Sequence, residues 1–338
     1  MPTRELSRSR ATRANRAECV PGASTPEILR LLSRGATGAI LMALGDGPLR
    51  TKELTERVPG YTPRTIYRYA GRLSDLGVVD RDEEPGVPSK VTHTLTDACG
   101  YDLYNLVTRF ADASLTRLSN GQIDAHVWAS LGLLADLWET EMIEYLSCEA
   151  RSPTQLSQEV SRLSYHQVNR RAGVFRASGL LFESPGSGRS RLYGLTEKTR
   201  RKMGLIAGIA RWRHHHAVTA SEEGLTATEM ATVLKVALPL VRVTGHLNAC
   251  LQFQVLDEDH AGTAESNLVW AEVQNDGTVQ SCVEAPSDPT ACGRGKIGDW
   301  ISVLLDRELN AVQIDGEQDL VSDVLACLHD VLWKPQSF

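Results

Sequence analysis

The 338-residue sequence predicts a mainly α fold with α+β structure in its last third, and three observations point there. One stretch recurs about a hundred residues later, each copy is followed by a strand-pair signal, and the charge changes sign where the repeat ends. The first copy centres on TPRTIYRYAGRLSDLG at 62–77 and the second on SYHQVNRRAGVFRASG at 164–179. A shift of 102 positions lays Leu44 on Leu146, Leu54 on Leu156, Val58 on Val160, Arg68 on Arg170 and Gly77 on Gly179. Ile66, Ala70 and Leu73 recur at helical spacing, as do Val168, Ala172 and Phe175, so each stretch reads as a helix with one face on a small core. Residues 78–81 and 91–95 read as short strands around a turn at Glu84-Pro85-Gly86. Residues 180–182 and 189–195 repeat them around Ser184-Pro185-Gly186-Ser187-Gly188, and Leu95-Thr96-Asp97 then matches Leu195-Thr196-Glu197. The second version is two residues shorter, and a length change confined between matched blocks marks a surface loop. Helix, helix, outward helix and hairpin make a winged helix-turn-helix. The predicted architecture is therefore two tandem winged helix-turn-helix domains, at 25–120 and 121–216, followed by an α+β domain at 222–338.

Ahead of them, residues 1–24 carry Arg4, Arg8, Arg10, Arg13 and Arg16 without an apolar face and read as a basic flexible arm. Such an arm can lie along phosphates or in the minor groove. A helix over 26–44 opens on Ser24-Thr25-Pro26-Glu27, a cap signal with proline in the first turn. Residues 51–58 supply the motif's first helix and Tyr61-Thr62-Pro63 its turn. A long helix over 97–118 gathers Leu103, Leu106, Val107 and Phe110 on one face. A lone winged helix would leave that face exposed, so a partner surface is expected, supplied by the helix that carries Met203 and Ile206. Ser119-Asn120-Gly121 breaks the chain. Beyond 216 the pattern reads as a helix over 224–243 bent at Pro239, then strands at 247–256, 267–274 and 278–283 with a turn at Asn275-Asp276-Gly277. A Pro/Gly/Cys loop, a helix over 297–305, a strand over 309–314 and an amphipathic helix over 319–333 complete it.

The outward faces name the candidate site. In the first copy they carry Thr62, Arg64, Thr65, Tyr67, Arg68 and Arg72, with Ser89 and Lys90 on the hairpin. In the second they carry Ser164, Tyr165, His166, Gln167, Asn169 and Arg170, with Arg189 and Arg191 on the hairpin. These side chains can bond base edges and phosphates, so double-stranded DNA is the expected partner. From residue 217 onward there are 19 acidic and 6 basic residues, against 23 and 30 before it. Acid repels phosphate, so the last third is expected to stay off nucleic acid. Arg162, Arg170, Arg171, Arg176, Arg189, Arg191, Lys198, Arg200, Arg201, Lys202, Arg211 and Arg213 make the second unit the stronger phosphate binder on this reading. In the acidic third, Phe253, Trp270, Trp300 and Leu304 are candidates to line a pocket for an apolar small molecule, and more often such residues are simply core.

The seven cysteines are scattered without a C-x-x-C pair, which reads as reduced thiols of a cytoplasmic protein. No apolar stretch reaches the roughly 18 residues of a membrane span, so no membrane partner is expected. His214-His215-His216 lacks the i, i+4 spacing that chelation from a helix requires, and no metal or cofactor is expected. No catalytic set stands out, and the expectation is a non-enzyme. A methyltransferase would need a glycine-rich loop after a strand, for which Gly293-Arg294-Gly295 is too isolated, and Gln252-Phe253-Gln254 bears only a faint likeness to a DNA-acting glycosylase. The remaining alternative is a drug-binding or scaffold protein.

Gly47-Pro48-Leu49-Arg50, Glu53-Leu54, Val58-Pro59-Gly60 and the Leu95-Thr96 after the hairpin resemble HxlR-type winged-helix transcriptional regulators, over about 28–110 and more loosely 131–212. That resemblance implies a DNA-binding regulator, with the tandem copies acting as a monomeric pseudo-dimer or assembling further as a homodimer. The family's core-helix tryptophan aligns with Trp138 but with Ala36 in the first copy. Its oxidant-sensing cysteine aligns with Ala23 and Ala125, so that route is not expected here. The last third, with Trp300 on its short helix and Ile314-Asp315-Gly316 ending a strand, resembles a sterol carrier protein-like domain, which implies an apolar effector.

Overall fold

Ser24 fixes the first helix, α1 (Thr25–Ser33): its hydroxyl accepts from the Glu27 N–H, and the Glu27 carboxylate accepts from the Ser24 N–H. The computed structural model describes residues 23–84, 90–113, 125–186, 190–216, 225–245, 248–257, 267–284 and 288–333. The helix expected over 26–44 is in fact two. The chain turns extended at Arg34 (ψ 93°) and restarts as α2 (Gly35–Leu44). The break lets each half pack on a different partner. α1 lies along α6 (Ala125–Glu139), where Arg30 pairs with Asp136 at 3.0 Å and with Glu139, while α2 enters a core with α3 (Thr51–Arg57) and α4 (Pro63–Asp75).

β2 (Val79–Glu84) and β3 (Lys90–Leu95) form a hairpin, and β1 (Leu49–Arg50) pairs with the outer side of β3 to complete a sheet of order β1-β3-β2. α5 (Cys99–Ala113) follows. A similar order then recurs: α6, the short α7 (Met142–Tyr145), α8 (Pro153–Glu159), α9 (Tyr165–Ala177), the hairpin of β4 (Leu181–Pro185) and β5 (Arg191–Leu195), α10 (Glu197–Arg201) and α11 (Met203–His216). The joint between helix and hairpin is the same, bond for bond, in both places. Gly77 (φ 69°) and Gly179 (φ 74°) take the left-handed conformation that glycine adopts without steric cost. Val78 N–H donates to Leu73 O and Leu180 N–H to Phe175 O, both at 2.9 Å. The Thr96 hydroxyl donates to Gly77 O and the Thr196 hydroxyl to Gly179 O, both at 2.8 Å. At the sheet edge Leu49 faces His93, and Arg151 faces Tyr193 through an isolated bridge.

α11 is the hub. Met203 through Ala210 and Trp212 are all buried, so the first two turns of this helix are apolar on every side, as at the centre of a fold, while Arg211, Arg213 and the histidines at its end are half-buried or exposed. It packs on α1, on α5 and on three helices of the last third, α12 (Ala227–Ala237), α13 (Ile297–Asp306) and α14 (Gln318–Trp333). Trp212 Nε1–H donates to Cys99 O at 2.8 Å, and Leu106 of α5 occupies the space a side chain on Gly208 would need. Cys99 itself is disulfide-bonded, against the expectation of reduced thiols throughout.

The last third is a five-stranded sheet of order β10-β9-β6-β7-β8, built from β6 (Cys250–Leu256), β7 (Leu268–Val273), β8 (Val279–Cys282), β9 (Ala291–Lys296) and β10 (Gln313–Gly316). Helices α12 (Ala227–Ala237), α13 (Ile297–Asp306) and α14 (Gln318–Trp333) pack with it. Three expectations are corrected. The helix expected to bend at Pro239 ends instead, as α12 followed by a 3-10 turn at Leu238–Leu240, because proline has no N–H to donate and its ring crowds the Lys235 carbonyl. That carbonyl accepts from the Ser281 hydroxyl at 2.7 Å. The Pro/Gly/Cys segment read as a loop contains β9, second from the edge of the sheet and parallel to β6. Its glycines are required by packing: a Cβ on Gly293 would stand 3.0 Å from Phe253 and 3.2 Å from Trp300. The strand expected over 309–314 is a 3-10 turn (Leu309–Ala311) leading into β10.

The 1–22 part of the basic arm, the turn residues Pro85 and Gly86, the hairpin residues Ser89 and Arg189, and the Ser119-Asn120-Gly121 break lie outside the described residues. Among the described residues no helix is long and apolar enough to cross a membrane.

Lys202 lies at the seam between α6 and α11, 3% exposed, with its Nζ donating to Ser130 Oγ at 2.9 Å. Burial, reinforced by Lys198, lowers its pKa from 10.5 to about 7. Below that value the ammonium is charged in both folded and unfolded chains, and its burial cost is fully present. Between about 7 and 10.5 the unfolded chain holds a proton the folded chain does not, so stability rises with pH by up to about 1.4 kcal/mol per unit. Urea unfolding at pH 7, 8 and 9 is expected to show this rise in the wild type, and Lys202→Met to flatten it while raising stability at pH 7.

Candidate nucleic-acid interface

α4 starts on Thr62, whose hydroxyl accepts from Thr65 N–H at 3.3 Å and shares a 2.9 Å hydrogen bond with the Thr65 hydroxyl, with Pro63 in the first turn. α9 starts on Ser164, which makes a reciprocal box with Gln167: Ser164 N–H donates to Gln167 Oε1 at 2.8 Å. Four residues singled out as nucleic-acid contacts, Thr62, Thr65, Ser164 and Gln167, therefore hold helix ends first. The Gln167 carbonyl is engaged, which leaves its amide N–H groups to face outward.

Ile66, Tyr69, Ala70 and Leu73 anchor α4, and Arg64, Tyr67, Arg68 and Arg72 stand exposed on its other side. Tyr69 was not read from the sequence as part of the site. Its ring lies under the Arg68 guanidinium at 4.7 Å and within 5.8 Å of Arg72, and its hydroxyl accepts from Arg68 Nη2 at 3.2 Å. The signal was there, an aromatic flanked by arginines one residue before and three after, on the edge of the buried stripe. Arg81 of β2, also missed, stacks 4.8 Å over Tyr67 and ties α4 to the hairpin. The hairpin is not basic: Asp80, Asp82, Glu83 and Glu84 are exposed on β2, and Lys90 is the exposed cation at the start of β3. In this unit phosphate attraction belongs to the helix, and β2 opposes it.

On α9 only Val168, Ala172 and Phe175 are buried, while Tyr165, His166, Gln167, Asn169, Arg170 and Arg176 face solvent. Tyr165 and His166 meet edge to face with ring centroids 5.7 Å apart. Arg170, like Arg64 and Arg72, has no ion-pair partner among the described residues. Glu183 of β4 takes Arg176 at 2.7 Å and Arg191 at 3.5 Å, so the described part of this hairpin is partly neutralised.

The basic cluster read from the sequence is corrected here. Arg200 donates through Nη1 to Ser147 O and Val236 O at 3.0 and 2.9 Å, and burial lowers its pKa to about 10. Arg201 donates to Val331 O at 2.9 Å and pairs with Glu197, Lys202 is interior, and Arg211 pairs with Asp306. These four join the molecule's parts and are not phosphate ligands. Charge counted along the chain could not separate cations that face inward from those that face water.

The four pocket candidates do not converge. Phe253, Trp300 and Leu304 are fully buried; the two rings meet edge to face at 5.6 Å, and Trp300 Nε1–H donates to Gln254 O at 3.1 Å. Trp270 pairs with Gln252, one residue out of step with Phe253, and so lies on the opposite face of the sheet. There Gln252 accepts from the Cys292 thiol at 3.3 Å and Gln254 from Arg294 Nε at 2.7 Å, ordinary neighbours on a sheet. Burial raises the Cys282 thiol to about 11 and also raises Cys292, which leaves both poor nucleophiles at neutral pH. Among the described residues no group of His, Cys, Asp and Glu is arranged to hold a metal, and His216 Nε2 instead meets Asp102 at 2.8 Å.

Residues 31–119 match the HxlR-like helix-turn-helix family. This HxlR-like segment runs from the end of α1 past α5 and so contains α4 and its hairpin. The regulator YodB of Bacillus subtilis is 36% identical over 67 residues, covering 20% of this chain and 60% of that protein. Uncharacterized HTH-type regulators of Methanothermobacter thermautotrophicus and Halalkalibacterium halodurans are 36% and 38% identical over 58 and 61 residues, 44% and 54% of their lengths. The chain thus spans 60% or less of these curated relatives. Among solved structures, the putative regulator ytfH of Salmonella typhimurium is 28% identical, covering 25% of this chain and 76% of that one at a TM-score of 0.24. Diamide-treated YodB from B. subtilis is 32% identical, covering 24% and 79% at a TM-score of 0.22. These matched proteins are transcriptional regulators rather than enzymes by their descriptions.

Because Ser164 caps α9, Ser164→Ala is expected to lower unfolding free energy by about 1 kcal/mol in urea melts while leaving the helix exposed.

Proposed function

We propose that the chain is a DNA-binding transcriptional regulator whose two winged helix-turn-helix units, in one polypeptide, act as a pseudo-dimer on duplex DNA in the cytoplasm. The observation that carries this reading is the bond-for-bond repetition of the joint at Gly77 and Gly179, in each case behind an exposed helix bearing an arginine without an ion-pair partner. The way equivalent helices pair supports it: α1 lies on α6, its positional counterpart, and α5 lies on α11. Two identical chains meeting about a two-fold axis pair their own helices in this manner.

The two reading faces differ, Arg64-Thr65-Tyr67 against His166-Gln167-Asn169, and so do the hairpins beside them. The proposed operator is accordingly an imperfect palindrome or a direct repeat with unlike halves. The C-terminal α+β domain is proposed to be a sterol carrier protein-like module that answers to a small molecule, supported by its single sheet packed with three helices. Its surplus of acid keeps it off the phosphates.

Selection from random duplexes is expected to return such a bipartite site, and enrichment of a strict palindrome would contradict the unlike halves. Arg64→Ala combined with Arg170→Ala should flatten the log–log salt dependence of binding by about two, roughly one for each lost phosphate contact. Glu183→Gln releases Arg176 and Arg191 and is expected to tighten binding at low salt; unchanged affinity in both variants would remove these helices from the interface.

A further inference from the structure

A cleft of about 240 Å³ opens where α5 and α11 meet α13 and α14, lined by none of Phe253, Trp270, Trp300 and Leu304. Its walls come from both helix-turn-helix units and from the acidic domain. Trp212 and Trp333 line it, and because their N–H groups are engaged elsewhere, donating to Cys99 O and Leu304 O at 2.8 and 2.9 Å, the indoles offer the cleft apolar surface. The Arg109 guanidinium stacks 4.4 Å over the Trp333 ring and uses one N–H for Leu305 O at 3.1 Å. Its other N–H groups and the Asn105 amide make no hydrogen bond among the described residues. Arg211 pairs with Asp306, and the Asp102 carboxylate meets the His216 imidazole. Burial and Arg211 hold His215 below its ordinary pKa, so it is neutral at pH 7. Arg109 makes no ion pair among the described residues; burial and Arg211 disfavour its cationic form while Asp306 favours it, and an anion would relieve the burial cost.

We propose that this cleft is a binding site for a small aromatic carboxylate, its acid group held by Arg109 and Asn105 and its ring lying against the tryptophans. The geometry suits that class because a guanidinium matches a carboxylate edge on, and the indole surface left open to the cleft gives a ring apolar contact. The volume falls below the roughly 300 Å³ at which drug-sized pockets begin, which limits the ligand to about one ring. The inference deepens the effector part of the proposed function and rests on it for its biological meaning. A ligand here would touch α5, α11, α13 and α14 together, the elements that fix the two units relative to the acidic domain.

The test uses the full chain and benzoate, with benzamide as the neutral isostere, read by tryptophan fluorescence and calorimetry at pH 7.5. Saturable binding of benzoate is expected, with benzamide at least about tenfold weaker, since a charge-assisted hydrogen bond is lost. Arg109→Gln, which can still donate to Leu305 O, should weaken benzoate about tenfold or more, and Arg109→Lys should stay closer to wild type. Circular dichroism checks that each variant folds; if Arg109→Gln does not, Asn105→Leu at the exposed rim takes its place, with the same expected loss. No saturable signal up to about 20 mM, far above a millimolar Kd, overturns the proposal. Equal binding of benzamide, or undiminished binding by the folded variant, does the same. None of these readouts involves DNA, so a failed benzoate titration and a failed duplex-binding assay are told apart.

Discussion

The burial of the first two turns of α11 on all sides is the constraint from which the rest of the molecule follows. Met203, Leu205, Ile206, Ile209 and Trp212 all leave solvent, which at about 1.5–3 kcal/mol per large side chain is worth roughly 10 kcal/mol before entropy. That is comparable to the whole net stability of a typical domain. Such a helix cannot exist at the edge of a free-standing winged helix. It needs neighbours on every side, and it gets them from α1, α5, α12, α13 and α14. The small residues in its sequence, Gly204, Ala207 and Gly208, let Trp333 and Leu106 approach closely.

Electrostatics then joins the acidic third to the basic remainder in a specific way. Arg200 donates to Val236 O near the end of α12, Arg109 to Leu305 O near the end of α13, and Arg201 to Val331 O near the end of α14. All three carbonyls belong to last helical turns, where backbone acceptors lack intrahelical partners and the helix dipole is negative. The arginines come from α5 and α10, so the junction is made by side chains about ninety residues apart in the chain. The net charge of −6 conceals this arrangement, in which much of the positive charge near α10 and α11 neutralises helix ends rather than meeting solvent.

The segments around α4 and α9 share their backbone logic and differ in electrostatic character. The first sets Arg64, Arg68 and Arg72 beside an acidic strand, with Tyr69 and Tyr67 holding three arginines in place by their rings. The second offers uncharged hydrogen-bonding groups, His166, Gln167 and Asn169, ahead of Arg170, and shares one glutamate between two arginines. The two segments share what folding demands, the capped helix and the left-handed glycine, and differ in what faces water.

The sequence by itself determined what depends on near neighbours: the cap at Ser24, the amphipathic stripes of α4 and α9, the hairpins and the Asn275-Asp276-Gly277 turn. Hydrogen bonds over three or four residues and the alternation of apolar side chains are written locally, so spacing reveals them. Tertiary structure alone decided the break at Arg34, because the two halves of that stretch answer to different partners. It decided that Ala291–Lys296 is a strand, since its glycines make sense only beneath Phe253 and Trp300. It turned Arg200, Arg201 and Lys202 inward, scattered Phe253 and Trp270 to opposite faces of one sheet, and assembled the Arg109 cleft from four helices distant in the chain. In each case the deciding partner lies far along the chain, and the choice between water and burial for a charged or aromatic side chain is set by whatever the fold brings to it.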